Sequence, residues 1–163
     1  MPQQPACTVS TSRPGTRARA ASVAAMADAV EARYGRIHGL VNNAALATGL
    51  GGKGFEEIEI DAWDRVMAVN VRGPWLCAKA AVPHMRARGG GVIIMIASIW
   101  GRESGGRMTY NAVKAAEISL AKSLAGQLAQ DNIRVNSVAP GSISFPGGSW
   151  AKREATDPEG MAA

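Results

Sequence analysis

The stretch that decides the fold runs from residue 91 to residue 114. Residues 91–97 read GVIIMIA, an unbroken apolar run that ends at Ser98. After a Gly/Ser/Arg-rich loop, residues 110–114 read YNAVK at the start of a helical pattern. A run of apolar residues without alternation is typical of a strand that is buried on both faces of a parallel sheet. The stretch therefore predicts a buried parallel strand, a loop and a helix in succession.

Tyr110 and Lys114 suggest a chemistry for this stretch. They are four residues apart, and residues at that spacing stack on one face of a helix. We expect the strand to deliver Ser98 opposite them. An ammonium beside a phenol favours the phenolate and lowers a pKa that is ordinarily about 10. The three side chains therefore predict a proton donor that suits an alkoxide near neutral pH.

Helical and strand patterns alternate on both sides of this stretch. Helical periodicity covers residues 21–34, 61–88 and 108–130, and apolar strand patterns cover residues 37–41, 92–97 and 133–139. The alternation predicts an α/β fold, namely a partial doubly wound (Rossmann-like) three-layer parallel sheet with helices on both faces.

Local signals predict where the helices begin and end. Ser22 and Asp61 are expected to cap the first two helices, and Gly35 is expected to stop the first. Gly73-Pro74 and Pro83 are expected to bend or break the second helix, because proline removes a backbone donor and crowds the preceding turn.

Small and polar residues follow each predicted strand. They are Asn42 to Ala45 after the first strand, Ser98 after the second and Pro140-Gly141 after the third. Ligands of doubly wound sheets lie beyond the carboxyl ends of the strands. We therefore expect these three segments to meet at one ligand-binding edge.

The composition narrows the class of protein. The 163 residues are 47% hydrophobic and 19% charged, which predicts one folded domain. The net charge is +5, but no basic stripe with interleaved aromatic residues is present. We expect no nucleic-acid binding, and a basic nucleic-acid-binding module is kept only as an alternative. No apolar run reaches the ~20 residues of a membrane span, so no membrane partner is expected.

The cysteine and histidine content predicts neither a disulfide framework nor a metal site. Cys7 and Cys77 are the two cysteines, and no Cys/His spacing resembles a zinc site. His38 and His84 are interpreted as structural or surface residues. A cytoplasmic location is therefore expected.

The order of several motifs resembles the short-chain dehydrogenase/reductase family, of the kind that includes 3-oxoacyl-carrier-protein reductases. The resemblance covers roughly residues 21–150. It rests on Asn42-Asn43-Ala44-Ala45, Asn70, Ser98, the Tyr110 and Lys114 pair, Asn136 and Pro140-Gly141. It implies an oxidoreductase that uses NAD or NADP and moves a hydride between the nicotinamide and a ketone or secondary alcohol.

The resemblance also implies a role for each matching residue. Tyr110 would be the general acid in reduction and the general base in oxidation, and Lys114 would hold the nicotinamide ribose. Ser98 would bind the substrate carbonyl, and Asn70 would position a water for a proton relay. The remaining cofactor-binding residues would be Asn43, Ala44, Ala45, Pro140, Gly141 and Ile143.

Asn70 and Ser98 also have plainer interpretations. An asparagine within a helix often bonds to backbone, and a serine after a strand often caps a turn. A nucleophilic role for Ser98 is disfavoured, because the sequence around it lacks a Gly-x-Ser-x-Gly turn.

The sequence departs from the family pattern at both ends. Residues 1–20 are interpreted as a disordered or non-native leader, where the family has a strand and a Gly-rich turn that binds the pyrophosphate. Residues 21–141 are interpreted as the central part of the domain, with a Gly-rich loop at 48–54, and residues 142–163 as a truncated substrate-loop region. We therefore expect the chain to bind NADH and NADPH weakly or not at all. The alternative function is a catalytically incomplete fragment or pseudo-enzyme that only associates with relatives.

The resemblance further implies the partners of the chain. A small-molecule ketone or secondary alcohol is the expected substrate. A homo-oligomer, either a dimer or a tetramer, is expected to form through the helices around 61–88 and 108–130.

Overall fold

The computed structural model describes residues 19–47 and 54–157. Its strands are β1 (Gly39–Asn42), β2 (Gly91–Ile96) and β3 (Ile133–Val138). Its helices are α1 (Ala20–Tyr34), α2 (Ile60–Met67), a π-helical segment (Ala68–Arg72), α3 (Gly73–Ala87), α4 (Met108–Leu128) and α5 (Ser149–Thr156), with short 3-10 turns at Phe55–Glu57, Ile99–Gly101 and Ala129–Asp131. Most of the predicted leader, residues 48–53 of the predicted Gly-rich loop and residues 158–163 lie outside the described residues.

The three strands form one parallel sheet with β2 in the middle. Leu40 pairs with Ile93, and Ile93 pairs with Val135. The predicted parallel α/β fold is confirmed. Both crossovers advance in the same direction across the sheet, and right-handed crossovers then place α3 and α4 on the same face.

The main core lies between this face and the helices α1, α3 and α4. Ile93 and Met95 of β2 are completely buried at its centre. Its other buried members are Ala27, Ile37, Ala78, Ala81, Val82, Met85, Ala121, Leu128, Ile133 and Val135. Burying a large aliphatic side chain stabilises the fold by about 1.5–3 kcal/mol. This packing fixes α4 against β2 and β3, and thereby fixes the start of α4 beside the end of β2.

The opposite face of the sheet is open within the described residues. Alternate residues of β2, among them Ile94, are only half-buried, and their cross-strand neighbours Val41 and Val138 are 62% and 48% exposed. The prediction that β2 is buried on both faces is therefore wrong for this part of the chain. The residues of β2 are apolar on both faces of the sheet, but the described helices cover only one of these faces.

The ends of the first two helices agree only partly with their sequence signals. Gly35 ends α1 as predicted, in a left-handed conformation with φ 74°, and its N–H donates to the Glu31 carbonyl at 2.7 Å. Ser22 and Asp61 do not cap, because α1 begins at Ala20 and α2 begins at Ile60. Asp61 lies instead in the first turn of α2, where a negative charge suits the helix dipole.

The second helical stretch changes its winding rather than breaking. The π-helical segment Ala68–Arg72 lies just before Gly73-Pro74, one turn earlier than the predicted interruption. Pro83 was predicted to bend or break the helix, and the break is wrong, because α3 continues through Pro83 to Ala87. Pro83 is exposed, so the carbonyl that loses its helical donor lies on the solvent side.

The region after β3 contains a helix that the sequence pattern did not indicate. The charged residues Lys152 and Glu154 of α5 are exposed, and Trp150 is half-buried. A short helix with few apolar residues has too little periodicity to be recognised. Among the helices of residues 19–47 and 54–157, none is long and apolar enough to cross a membrane.

Candidate active site

The segments that follow β2 and β3 are joined at the carboxyl edge of the sheet. The Ala97 N–H donates to the Val138 carbonyl at 2.8 Å, and the Ile99 N–H donates to the Pro140 carbonyl at 2.9 Å. These bonds continue the parallel pairing of Ile96 with Val138 beyond the strands. The predicted meeting of these two segments at one edge therefore occurs in the structure.

Ser98 caps the 3-10 turn that follows β2. Its Oγ accepts a hydrogen bond from the Trp100 N–H at 3.2 Å, and the residue is buried. The serine hydroxyl also acts on the phenol of Tyr110, whose pKa it lowers. The capping interpretation and the proposed catalytic position therefore apply to the same side chain.

A glycine allows this turn to approach α4. A Cβ atom at Gly101 would lie 2.7 Å from the carbonyl carbon of Lys114, closer than such atoms come in proteins. Only glycine fits at this distance from backbone that cannot move aside. Gly101 thus sets the spacing between the Ser98 turn and the helix that carries Tyr110.

Ser98 and Tyr110 line a cavity of about 350 Å³ at this edge. Gly141, another predicted site residue, lines the same cavity. The sequence analysis missed several residues of its lining, which include Ala47, Trp100, Arg107, Ser142 and Trp150. These residues come from loops and from α5, where the sequence carries no periodic signal that indicates which side chains point inward.

A larger cavity of about 1090 Å³ lies elsewhere, between the start of α1, the α2–α3 region and α4. It contains none of the predicted catalytic residues, and its lining is mostly apolar. Size alone therefore does not identify the site. The smaller cavity is the candidate active site, because it gathers the hydroxyl groups that carry chemistry.

The electrostatics of Tyr110 differ from the prediction. Burial raises the pKa of the phenol, the Ser98 hydroxyl lowers it, and the negative charge of Glu117 raises it again. The net pKa of Tyr110 is therefore raised, whereas the sequence analysis expected it to be lowered. The Lys114 Nζ lies 5.5 Å from the centre of the Tyr110 ring, but its charge is directed elsewhere.

Lys114 points into the protein rather than into the cavity. Its Nζ donates to the Ile96 carbonyl at 2.7 Å and to both carboxylate oxygens of Glu117, at 3.1 and 2.9 Å. Both side chains are 3% exposed. Burial raises the pKa of Glu117 to about 7, against the lowering effect of Lys114. The sequence analysis missed Glu117, although its spacing of three from Lys114 places the two on one helical face.

Asn70 is completely buried in the π-helical segment. Its Oδ1 accepts from the Leu46 N–H at 2.8 Å, and its Nδ2 donates to the Leu46 carbonyl at 3.1 Å. The plainer interpretation, in which the side chain bonds to backbone, matches these contacts. Asn70 thereby fixes the segment after β1, one residue before Ala47 enters the cavity lining.

Most of the predicted cofactor-binding residues lie near the edge but outside the cavity lining. Asn43 and Ala45 are exposed and Ala44 is half-buried, all directly after β1. After β3, Pro140 is half-buried and Ile143 is 63% exposed. Gly141 is the member of this set that lines the cavity.

The sequence matches the family model described as Enoyl-(Acyl carrier protein) reductase over residues 17–158. It is 42% identical to a short-chain type dehydrogenase/reductase of Bradyrhizobium diazoefficiens over 128 residues, which are 77% of this chain and 46% of that protein. The chain spans about half the length of the curated relatives it matches. The chain belongs to the short-chain dehydrogenase/reductase family, as its motifs predicted.

Solved structures give the same result. The fold is similar to that of a short-chain dehydrogenase/reductase from Burkholderia xenovorans, with a TM-score of 0.76 and 32% identity over 88% of this chain and 57% of that one. It is also similar to a xylitol dehydrogenase in its NAD+-bound form, with a TM-score of 0.75 and 30% identity over 84% of this chain and 52% of that one. The predicted Rossmann-like arrangement is confirmed.

Proposed function

We propose that this chain carries the catalytic centre of a NAD(P)-dependent oxidoreductase that transfers a hydride between the nicotinamide and a ketone or secondary alcohol. Tyr110 is the general acid and base, and Ser98 is the donor to the substrate carbonyl. One observation carries the proposal: Ser98 and Tyr110 line one cavity at the carboxyl edge of the sheet. Membership of the family supports it.

The residues around the cavity fit the reacting end of a nicotinamide dinucleotide. A cavity of about 350 Å³ is at the lower end of ligand-pocket sizes, which suits a nicotinamide ring with a small carbonyl compound. A Cβ atom at Gly141 would meet nothing within 4 Å, so the backbone there is open to a flat ring. Lys114 is the proposed ribose-binding residue, and its ammonium has to leave Glu117 to take that role.

The mechanism assigns one step to each hydroxyl. Bound NADPH or NADH supplies the hydride in the direction of reduction. As the substrate carbonyl becomes an alkoxide, Tyr110 donates its phenol proton to that oxygen while Ser98 donates a hydrogen bond to it. In oxidation, the Tyr110 phenolate accepts the proton of the alcohol. A phenol is protonated at neutral pH, so Tyr110 has a proton to donate in reduction.

Oxidation of NADH and NADPH in the presence of a panel of ketones tests the proposal. We expect Tyr110→Phe to lower the rate by about 10²–10⁴-fold, the usual contribution of a general acid. Tyr34→Phe is the matched control, because it makes the same chemical change at an exposed position on α1. Millimolar cofactor keeps the assay informative if binding is weak.

Two outcomes would contradict the proposal. One is an equal loss of rate in the two tyrosine variants, and the other is no cofactor oxidation with any ketone. The second outcome favours the alternative, a catalytically incomplete chain that only associates with relatives.

We also propose a homo-oligomer that forms through the helices around 61–88 and 108–130. The larger cavity supports it, because its apolar lining includes Met67, Val71, Trp75 and Leu120 from these helices. Sedimentation velocity tests it, with Trp75→Glu expected to favour the monomer. Phe55→Glu, at an exposed aromatic outside these helices, should leave the sedimentation coefficient unchanged.

The proposed location is the cytoplasm. Cys77 on α3 is a free thiol, and burial raises its pKa. A free thiol is compatible with the reducing environment of the cytoplasm. Fractionation of cells that express the chain tests this location.

A further inference from the structure

The proposed reaction gives Lys114 a role but gives none to Glu117. The ammonium of a lysine has three N–H donors. Here they face three acceptors, namely the Ile96 carbonyl at 2.7 Å and the two Glu117 carboxylate oxygens at 3.1 and 2.9 Å. With both side chains 3% exposed, water does not compete for these bonds. Lys114 is therefore fully engaged within the protein and has no donor left for a ligand in the cavity.

The ion pair lies directly behind the phenol that lines the cavity. Tyr110, Lys114 and Glu117 are spaced four and three residues apart, so they follow one face of α4. The Lys114 Nζ is 5.5 Å from the centre of the Tyr110 ring. The Glu117 carboxylate acts on the same phenol and opposes its ionisation, because two negative charges repel.

We propose that Glu117 is a positioning residue that holds the Lys114 ammonium in a closed ion pair behind Tyr110, and that protonation of Glu117 releases the ammonium toward the phenol oxygen and the cofactor ribose. This inference rests on the proposed function of Tyr110 and Lys114. It makes Glu117 the group that regulates whether the lysine charge is available to the reaction.

Of the described charged groups around α4, Lys114 is the one close partner of Glu117. β2 contributes the uncharged Ile96 carbonyl, and the buried Asn70 of the π-helical segment is also uncharged. The charged side chains of the packed elements are Asp61, Asp64 and Arg65 in α2, Arg72 in the π-helical segment, Arg134 in β3 and Asp131 in the 3-10 turn. All are exposed except Asp131, which is half-buried and bonded to Arg86. Lys114 is therefore the charge that governs Glu117.

The pKa of Glu117 allows its carboxyl group to gain a proton, and so to release Lys114, near neutral pH. Burial raises its pKa to about 7, although the charge and hydrogen bonds of Lys114 lower it. Near neutral pH the carboxyl group is thus divided between its two protonation states. A ligand that attracts the ammonium, or a small fall in pH, shifts this balance toward the released form.

The phenol of Tyr110 reports on the ion pair without any cofactor. The sequence has two tyrosines, Tyr34 and Tyr110, so in a Tyr34→Phe background the near-ultraviolet absorbance of tyrosinate titrates Tyr110 alone. In this background we expect Glu117→Gln to lower the pKa of Tyr110 by about one unit, which is a tenfold change in its acid dissociation constant. Glu56→Gln is the matched control, because it removes the same charge from an exposed position.

A second pair of variants separates positioning from simple charge repulsion. In a Lys114→Met background, Glu117→Gln removes the carboxylate charge but has no ammonium to release. We expect a clearly smaller shift of the Tyr110 pKa there than in the background that retains Lys114. Equal shifts in the two backgrounds would overturn the proposal, and so would a shift no larger than that of Glu56→Gln.

A measurement without substitution in the ion pair guards against variants that fail to fold. The ring-carbon NMR signal of labelled Tyr110 in the Tyr34→Phe chain should show an inflection near pH 7, well below its own titration. A signal that stays flat through this range would overturn the proposal. Neither measurement depends on turnover, so the two proposals can fail separately. If the Tyr110 titration responds to Glu117 as expected but no ketone is reduced, the proposed function fails and the ion-pair inference stands.

Discussion

Tyr110 and Lys114 lie one turn apart on α4, yet they belong to two pairs with opposite surroundings. The Ser98–Tyr110 pair is neutral and lies at the cavity. The Lys114–Glu117 pair is charged, closed and almost inaccessible to solvent. The difference teaches that helical spacing fixes which side chains are neighbours, while the depth of each position fixes what a neighbour can do.

The largest effect on stability is expected when the buried ion pair loses Lys114. Lys114→Met leaves the Glu117 carboxylate buried without its partner, and removing one member of a buried ion pair typically costs about 3–5 kcal/mol. Urea unfolding should show this loss in the free energy of unfolding. The double variant Lys114→Met/Glu117→Leu should recover most of it, since a buried apolar pair of similar size is often as stable. A double variant as unstable as the single one would break the comparison.

The pH dependence of stability sharpens the same contrast. The pKa of Glu117 rises from 4.5 to about 7 on folding, so the folded chain binds more protons than the unfolded chain between these values. Its contribution to the free energy of unfolding is fully present below about pH 4.5 and is lost as the pH rises through about 7, a change of about 3 kcal/mol or less. We expect the difference between wild type and Glu117→Gln, measured by urea unfolding, to follow this curve. A difference that is constant with pH would contradict it.

A smaller effect is expected at the glycine that sets the spacing of the two pairs. Gly101→Ala places a Cβ against the Lys114 backbone, and overpacking of this kind typically costs about 1–3 kcal/mol. Gly126→Ala is the control, because Gly126 lies in α4 and a Cβ there would meet nothing within 4 Å. Thermal unfolding measures both. Equal melting temperatures would mean that the turn shifts without cost.

The smallest effect on stability is expected in the pair at the cavity. Ser98→Ala removes the cap on the Trp100 N–H, a change that typically costs about 1 kcal/mol. Ser98→Thr retains a hydroxyl and should lose less in the same urea unfolding experiment. A loss for Ser98→Ala as large as that for Lys114→Met would remove the distinction between the two pairs.

The sequence was sufficient for the order of elements and for the edge where the site forms. Periodicity placed α4 within two residues of its observed end, and the apolar run placed β2 within one residue at each end. The orientation of Lys114 was not predictable from its spacing to Tyr110, because Glu117 competes for the same ammonium from the other direction. Only the packing of α4 against β2 decides between these partners, since it supplies the Ile96 carbonyl as a further acceptor.

The wrong predictions share a physical cause. Local sequence patterns show which secondary structure a residue favours, but they do not show which other parts of the chain pack over it. The apolar residues of β2 gave no indication that Ile93 is fully buried while Ile94 beside it is only half-buried. Pro83 suggested a break, but its exposed position lets α3 continue at little cost. Loop residues such as Trp100 and Ser142 enter the cavity for reasons of tertiary packing alone.

The face of the sheet that the described residues leave open has a practical consequence for work on this chain. Val41 and Val138 flank the apolar centre of β2 on that face and expose roughly half or more of their surface. Dyes such as ANS fluoresce on exposed apolar surface and are commonly used to detect loosely packed states. The native chain should therefore give a bright dye signal before any heating, and circular dichroism is the better choice for following its melting.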